Sequence, residues 1–179
     1  MSFFNQAPNA APNGGNRSVA VVFDDIPQTL ATFSALPQAA MQRPSDTAAL
    51  FIAAMCVYPR DTQTALQMID VLKGPQPLSG YDKQFIADRM RGKDYVPRSY
   101  FVGATPENNY MPTHPYTIMV SENPYSYQEQ GYAKLFLKSG GADSPRPIQL
   151  RQAKDGKWYL WEQFLLADIR PTADSDPWA

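Results

Sequence analysis

The residues that could carry acid–base chemistry lie in the second half of the chain. His114 is the only histidine, and it stands in a polar segment next to Pro115. An imidazole titrates near neutral pH, so this side chain is the first candidate for a proton shuttle. The nearby carboxylates are Glu107, Glu122, Glu129 and Asp143. Two of them a few ångström apart could do acid–base work or bind calcium, which supports a small hydrolase as one hypothesis.

Other features of the sequence argue against that hypothesis. Nothing near His114 supplies an orienting partner, and the carboxylate spacing matches no known template. Cys56, the only cysteine, lies in an apolar run where a thiolate would be costly. Walker, Gly-x-Ser-x-Gly, Gly-x-Gly-x-x-Gly and calcium-loop motifs are all missing from the sequence. The sequence therefore predicts no cofactor and no metal, and it favours a protein that is not an enzyme.

Tyrosines are concentrated in residues 95–132, which hold seven of the ten in the chain. Tyrosine covers apolar surface with its ring and keeps a hydroxyl for hydrogen bonding, as binding surfaces require. We therefore predict a non-enzymatic binding or protein-interaction module, whose partner is an unidentified protein or small molecule. The residues expected on its surface are Arg98, Tyr100, Glu107, Asn109, Tyr110, His114, Tyr116, Glu122 and Tyr125. The alternative is that these tyrosines only fix long loops to a sheet.

The segment SGGADS at residues 139–144 also has two interpretations. Successive backbone N–H groups there could form a small anion-binding nest beside Arg146. A wide turn between strands explains the two glycines equally well.

Composition limits the class of protein. Sixteen basic and seventeen acidic residues give a formal charge of −1, which argues against general nucleic-acid binding. No apolar run approaches the roughly 20 residues of a membrane span, and the first residues do not resemble a signal peptide. A single cysteine cannot form an intrachain disulfide. A cytoplasmic location is therefore expected.

Four helices are predicted in the first half of the chain, separated by prolines. Their expected N-caps are Asp25, Ser45, Asp61 and Ser79, the last forming a capping box with Asp82. Residues 48–58 are apolar on almost all sides, so the second helix belongs in the core. The expected inner stripe of the fourth helix is Tyr81, Phe85, Ile86 and Met90.

Strands are predicted at the start of the folded region and after Gly92. Residues 18–23 predict a buried strand or an extended segment, and the later segments are 117–120, 132–138, 147–151 and 158–161. Asp155-Gly156 favours a two-residue type I′ turn that pairs residues 147–154 with 157–164. Both faces of segment 158–161 are apolar, so we expect it to lie between the helices and a second cover.

The predicted fold class is α+β, with an N-terminal layer of about four helices packed on a C-terminal antiparallel meander of three or four strands. Residues 1–17 are rich in Asn, Pro, Ala and Gly and have no apolar period, so they are predicted to be a disordered tail. Residues 18–179 are predicted to form one globular domain.

Several longer strings carry a resemblance to a known family. They are GYDKQFI at 80–86, DYVPRSYF at 94–101, GATPENNY at 103–110, SENPYSY at 121–127, SGGADSPRP at 139–147 and WYLWEQF at 158–164. In these strings, from about Val22 onward, the chain resembles an uncharacterised family of bacterial proteins, a domain of unknown function. The resemblance implies no activity, cofactor or catalytic residue.

Overall fold

A computed structural model describes residues 16–178 of the chain. The tail predicted for residues 1–17 therefore falls almost entirely outside the described residues. Arg17 already belongs to the first strand, so regular structure begins one residue earlier than expected. None of the helices in the described part of the chain has the length and apolar content that a bilayer crossing needs.

The elements follow an α+β order. The helices are α1 (Leu30–Ser34), α2 (Pro44–Val57), α3 (Thr62–Lys73) and α4 (Gly80–Met90). The strands are β1 (Arg17–Phe23), β2 (Tyr116–Glu122), β3 (Tyr132–Leu137), β4 (Arg146–Gln152) and β5 (Trp158–Gln163). Short 3₁₀ helices at Pro37–Ala40, Pro97–Tyr100, Pro106–Asn108 and Ala173–Ser175 complete the chain. The predicted fold class is confirmed.

Two of the predicted helix caps are confirmed. Asp61 accepts a hydrogen bond from the backbone N–H of Thr64 at 3.1 Å and so caps α3. Ser79 caps α4 through the capping box with Asp82, each side chain accepting from the other residue's N–H at 3.0 Å. These bonds satisfy backbone donors that the first turn of a helix leaves free.

The other two cap predictions are wrong. Helix α1 starts after Thr29, which forms a reciprocal box with Thr32, so Asp25 lies in the preceding loop. Helix α2 already includes Pro44 as its first residue, because proline has no N–H and suits this position. Ser45 is therefore inside the first turn and caps nothing.

One antiparallel sheet contains all five strands in chain order, β1 to β5. The sequence predicts only the later strands as a meander, whereas β1 pairs along its whole length with β2, for example Val21 with Ile118. Strand β1 is consequently an edge strand. The predicted strand is present, but its side chains alternate, with Val21 and Phe23 buried and Val22 exposed, so only one face of it is buried.

Helix α2 forms the centre of the core, as its apolar composition predicts. It contacts all five strands, and every residue from Ser45 to Met55 is buried. The facing side chains of the sheet are Ile118, Val120, Leu135, Leu137, Ile148, Leu150 and Leu160. Burying this many apolar side chains fixes the sheet against the helical layer.

The β4–β5 hairpin is confirmed, but its turn differs from the predicted type. Ala153 donates to the Lys157 carbonyl and Gly156 donates to the Ala153 carbonyl, both at 2.9 Å. The loop therefore contains three residues. Gly156 alone among them has a positive φ, +85°, whereas a type I′ turn needs two such residues.

Candidate functional site

Two of the tyrosines predicted to lie on the binding surface are buried in the structure. Tyr100 and Tyr110 are both buried. The Tyr100 hydroxyl donates to the Leu165 carbonyl, and the Tyr110 hydroxyl donates to the Arg170 carbonyl. Burial raises the pKa of both phenols, that of Tyr110 to about 12. These rings fix the C-terminal segment to the core, which matches the alternative interpretation for these two tyrosines.

Polar residues near Tyr100 and Tyr110 form hydrogen bonds within residues 94–109 and to the C-terminal segment. Arg98 donates to the carbonyls of Asp94 and Asn109 at 3.4 Å. The Asn109 amide donates to the Asp174 carboxylate at 3.0 Å. Glu107 is exposed in a 3₁₀ helix. Arg98 therefore bonds within residues 94–109, and Asn109 bonds to the C-terminal segment.

The remaining predicted residues divide between the two ends of β2. His114 and Tyr116 lie at its start, with their rings 5.4 Å apart and the His114 Nε2–H donating to the Asp24 carbonyl at 2.7 Å. Glu122 ends the strand, and Tyr125, 72% exposed, follows it. A seven-residue strand spans about 20 Å. The four residues therefore do not form one contact surface.

The residues proposed for a hydrolase site do not converge either, because they are far apart along β2. Glu122 and His114 stand at opposite ends of β2, and no cluster of three or more metal-binding side chains occurs within residues 16–178. Cys56 lies in α2, where burial raises the pKa of its thiol to about 12, an effect that Arg98 only partly opposes. A thiol with that pKa is a poor nucleophile near neutral pH.

The glycines of the predicted anion nest serve close packing instead. A Cβ atom on Gly140 would lie 2.0 Å from the Ala104 carbonyl oxygen, and one on Gly141 would lie 2.1 Å from the Tyr110 hydroxyl. Arg146 donates to the backbone carbonyls of Ala167 and Asp168. The turn interpretation therefore accounts for the segment.

A different surface lies along β5, the last strand of the sheet. The Phe164 N–H donates to the Pro147 carbonyl of the preceding β4 region at 3.0 Å. Backbone groups alternate in direction along a strand, so the N–H and C=O of Gln163 point away from β4. At the other end of β5, the Trp158 N–H donates to the Met41 carbonyl and the Trp158 carbonyl accepts from the Thr47 hydroxyl. The exposed edge is residues 161–164, where the Trp161 carbonyl accepts from the Lys73 Nζ at 3.5 Å and the backbone groups of Gln163 are open. Trp158, Tyr159 and Trp161 are half-buried rather than buried, so the second cover expected over β5 is only partial.

A groove of about 210 Å³ runs between this open edge and α4. Phe51 and Ile69 form its buried floor. The walls are Leu78, Tyr81, Asp82, Phe85 and Ile86 on one side and Leu160, Trp161, Glu162, Gln163 and Phe164 on the other, with Lys73 at one end. Tyr81 is 79% exposed and Phe164 is 54% exposed, so large apolar rings line the groove rim.

Local sequence explains why α4 lies apart from β5. The linker Gly74-Pro75-Gln76-Pro77 between α3 and α4 is stiff because proline fixes φ. The Asp70 carboxylate accepts from the Leu78 N–H at 2.8 Å and holds the end of the linker. Only Ile86 and Met90 of the predicted inner stripe are buried, so the prediction is wrong for Tyr81, which lines the groove instead.

A second cavity, of about 350 Å³, continues from the groove beneath the β4–β5 hairpin. Lys73, Leu160 and Trp161 line both spaces. Three cationic side chains border the second cavity: Lys73, Arg151 and Lys154. The Arg151 guanidinium lies over the Trp161 ring, 4.7 Å from its centroid, and over the Tyr132 ring at 5.4 Å. We call this space the basic pocket.

None of the residues predicted for the binding surface lies in this site. A short apolar strand with Trp161 and a helix with Tyr81 both look like core elements in a linear pattern. The available signal was the excess of aromatic residues in segment 158–164, which is apolar on both faces although nothing in the sequence supplies a second cover.

The fold and the groove together define a class: an α+β protein with a helical layer against one face of a five-stranded sheet and an open strand edge beside a helix. The chain belongs to the family described as a domain of unknown function, DUF6935, whose family model matches residues 25–173. That range includes both walls of the groove. Searches among curated proteins and among solved structures found no match.

Proposed function

We propose that this protein is a binding module that takes an extended peptide as an additional strand along the open edge of β5. The observation that carries the proposal is the position of that edge, which forms one wall of an aromatic groove whose other wall is α4. Peptide recognition by strand addition needs both features. Main-chain hydrogen bonds supply affinity, and pockets for alternate side chains supply specificity.

The chemistry of the groove fits an extended backbone. Gln163 offers a donor and an acceptor to it, and the rings of Trp161 and Phe164 flank that position. Aromatic anchors beside a polar rim carry most of the energy in many interfaces. The tyrosine-rich loops are a weaker candidate for the binding surface, because Tyr100 and Tyr110 are buried.

The test is selection of peptides from a random displayed library on the immobilised protein, followed by mapping of amide chemical shifts with a selected peptide. We expect shifts in residues 161–164 and 78–86, and we expect the Gln163 amide to become protected from hydrogen exchange. Failure to select any peptide, or shifts confined to residues 95–132, would contradict the proposal.

Two exposed tyrosines provide a matched pair of variants. Tyr81 lines the groove and is 79% exposed, whereas Tyr125 lies beyond β2 and is 72% exposed. Tyr81→Ala should weaken peptide binding by about ten- to a hundredfold, the usual effect of losing an aromatic anchor. Tyr125→Ala should leave affinity unchanged. The reverse result would place the contact surface in the tyrosine-rich loops.

A further inference from the structure

We propose that the basic pocket binds a carboxylate side chain of the added peptide, so that the partner is an acidic extended segment. This inference rests on the proposed function and specifies the chemistry of the ligand. It concerns the end of the groove at Lys73, where the groove and the basic pocket join.

Charge complementarity is the first argument. Lys73, Arg151 and Lys154 border the basic pocket, and none of the described residues that line it is a carboxylate. Within residues 16–178, none of these three cations forms a salt bridge. Three cations without a counter-charge around one cavity produce a positive potential that an anion would neutralise.

Asp82 and Glu162 line the adjoining groove and Asp155 follows Lys154 in the chain, but none of these three acids lines the basic pocket. Asp155 lies in the hairpin turn, where its carboxylate accepts from the Tyr159 hydroxyl at 2.7 Å and from the Lys157 N–H at 2.9 Å. Those bonds lower the pKa of Asp155, the Tyr159 bond being the larger cause. Its oxygens are thus directed at the turn and at a tyrosine of the pocket wall.

Preorganisation of Arg151 is the second argument. Its guanidinium is held over the rings of Trp161 and Tyr132, and stacking of this kind leaves the N–H groups at the edge of the plane free to donate. A carboxylate can accept two of those donors at once.

Continuity along β5 is the third argument. Trp161 separates the groove from the basic pocket and lines both. A strand lying beside residues 161–164 therefore reaches the basic pocket within one or two residues, because a strand rises about 3.3 Å per residue. The expected motif is a short apolar segment with an Asp or Glu at the end nearest the hairpin.

The experiment compares two displayed libraries of amidated peptides with the same apolar positions. One library allows Asp and Glu at the variable positions, and the other replaces them with Asn and Gln. We expect binders from the acidic library, with affinity that decreases as salt concentration rises, and with chemical-shift changes at the Arg151 and Lys154 amides. Amidation ensures that a terminal carboxylate cannot supply the charge.

Variants make the result specific. Arg151→Gln and Lys154→Gln should each weaken binding of an acidic peptide by about tenfold and leave its Gln-substituted version unaffected. Lys138→Gln, an exposed charge just after β3, is the matched control and should change nothing. A melting curve for each variant confirms folding, and the Lys154 variant stands in if the Arg151 variant is destabilised.

Two outcomes separate failure of this inference from failure of the proposed function. If peptides bind in the groove without any preference for acidic residues, the carboxylate assignment is wrong and the strand-addition proposal stands. If neither library yields a peptide that shifts residues 161–164, both proposals are wrong.

Discussion

The ring of Tyr159 lies directly against the backbone of Gly74, where a Cβ atom would fall 2.3 Å from the Cδ1 and Cε1 carbons of the ring. Gly74 ends α3 with a φ of +61°. This contact joins the hairpin of β5 to the linker that carries α4. It therefore sets the position of both walls near the end of the groove.

Replacing Gly74 with alanine should destabilise the fold by about 2–4 kcal/mol, because the methyl group meets the Tyr159 ring and the backbone conformation is strained. Urea denaturation measures the loss. Gly92→Ala is the control, since Gly92 has a φ of +69° but open space around it. It should lose about 1–2 kcal/mol. Equal losses in the two variants would show that the ring contact contributes nothing.

Truncating the buried tyrosines should cost stability. Tyr100→Ala and Tyr110→Ala are each expected to lose about 3–5 kcal/mol, the range for large buried aromatic residues, as each opens a cavity and removes a hydroxyl bond. Tyr125→Ala should stay within about 0.5 kcal/mol because the ring is exposed. Urea titrations of the three variants provide the comparison. A small loss of unfolding free energy in the Tyr100 and Tyr110 variants would indicate that these side chains lie on the surface.

Cys56 should react slowly with thiol reagents in the folded protein. Cys56 is partly buried, and desolvation raises the pKa of its thiol to about 12, so only a small fraction of the protein carries a thiolate at pH 8. Labelling at pH 8 should be at least about a hundredfold slower than in concentrated urea. Equal rates would mean that the thiol is not buried.

The same shift makes stability depend on pH. The folded pKa of Cys56 is higher than the unfolded one, so the stabilisation that it confers is fully present below the ordinary thiol pKa. It is lost as pH rises toward about 12. The free energy of unfolding should therefore decrease from pH 9 to 11, and Cys56→Ala should decrease less steeply. Tyr110 and Tyr127, whose pKa values burial raises to about 12, should account for part of the remaining slope.

Removing the cap of α4 should loosen one wall of the groove. Ser79→Ala deletes the acceptor for the Asp82 N–H and should cost about 1 kcal/mol. Hydrogen exchange should accelerate in the first turn, residues 80–83, while Ser79→Thr keeps the acceptor and should behave like the parent protein. Unchanged exchange in Ser79→Ala would show that packing alone holds the helix start.

Local features of the fold could be predicted from the sequence, and features set by distant pairing could not. The caps Asp61 and Ser79 depend on residues three positions away, so their pattern is sufficient. Strand β1 has the right composition for a strand, but nothing local identifies β2 as its partner. Asp25 is as good a cap residue as Thr29, and only the path of the loop decides between them.

The candidate site was harder to predict because exposure depends on tertiary contacts. Tyr100 and Tyr81 are chemically identical, yet the C-terminal segment covers the first and nothing in residues 16–178 covers the second. The groove exists because a stiff linker holds α4 away from β5, and that distance has no signature in residue types.

The pairing of β1 with β2 has a consequence for the order of events during synthesis. Ser18 and Ser121 share a hydrogen bond although they lie 103 positions apart in the chain. At about 5–20 residues per second, the ribosome needs roughly 5–20 s to make the partner after the first strand. During that interval the apolar side chains of β1, Val21 and Phe23 among them, have no sheet to join. A nascent chain of this protein therefore passes through a period in which an unpaired strand is available to chaperones or to neighbouring chains.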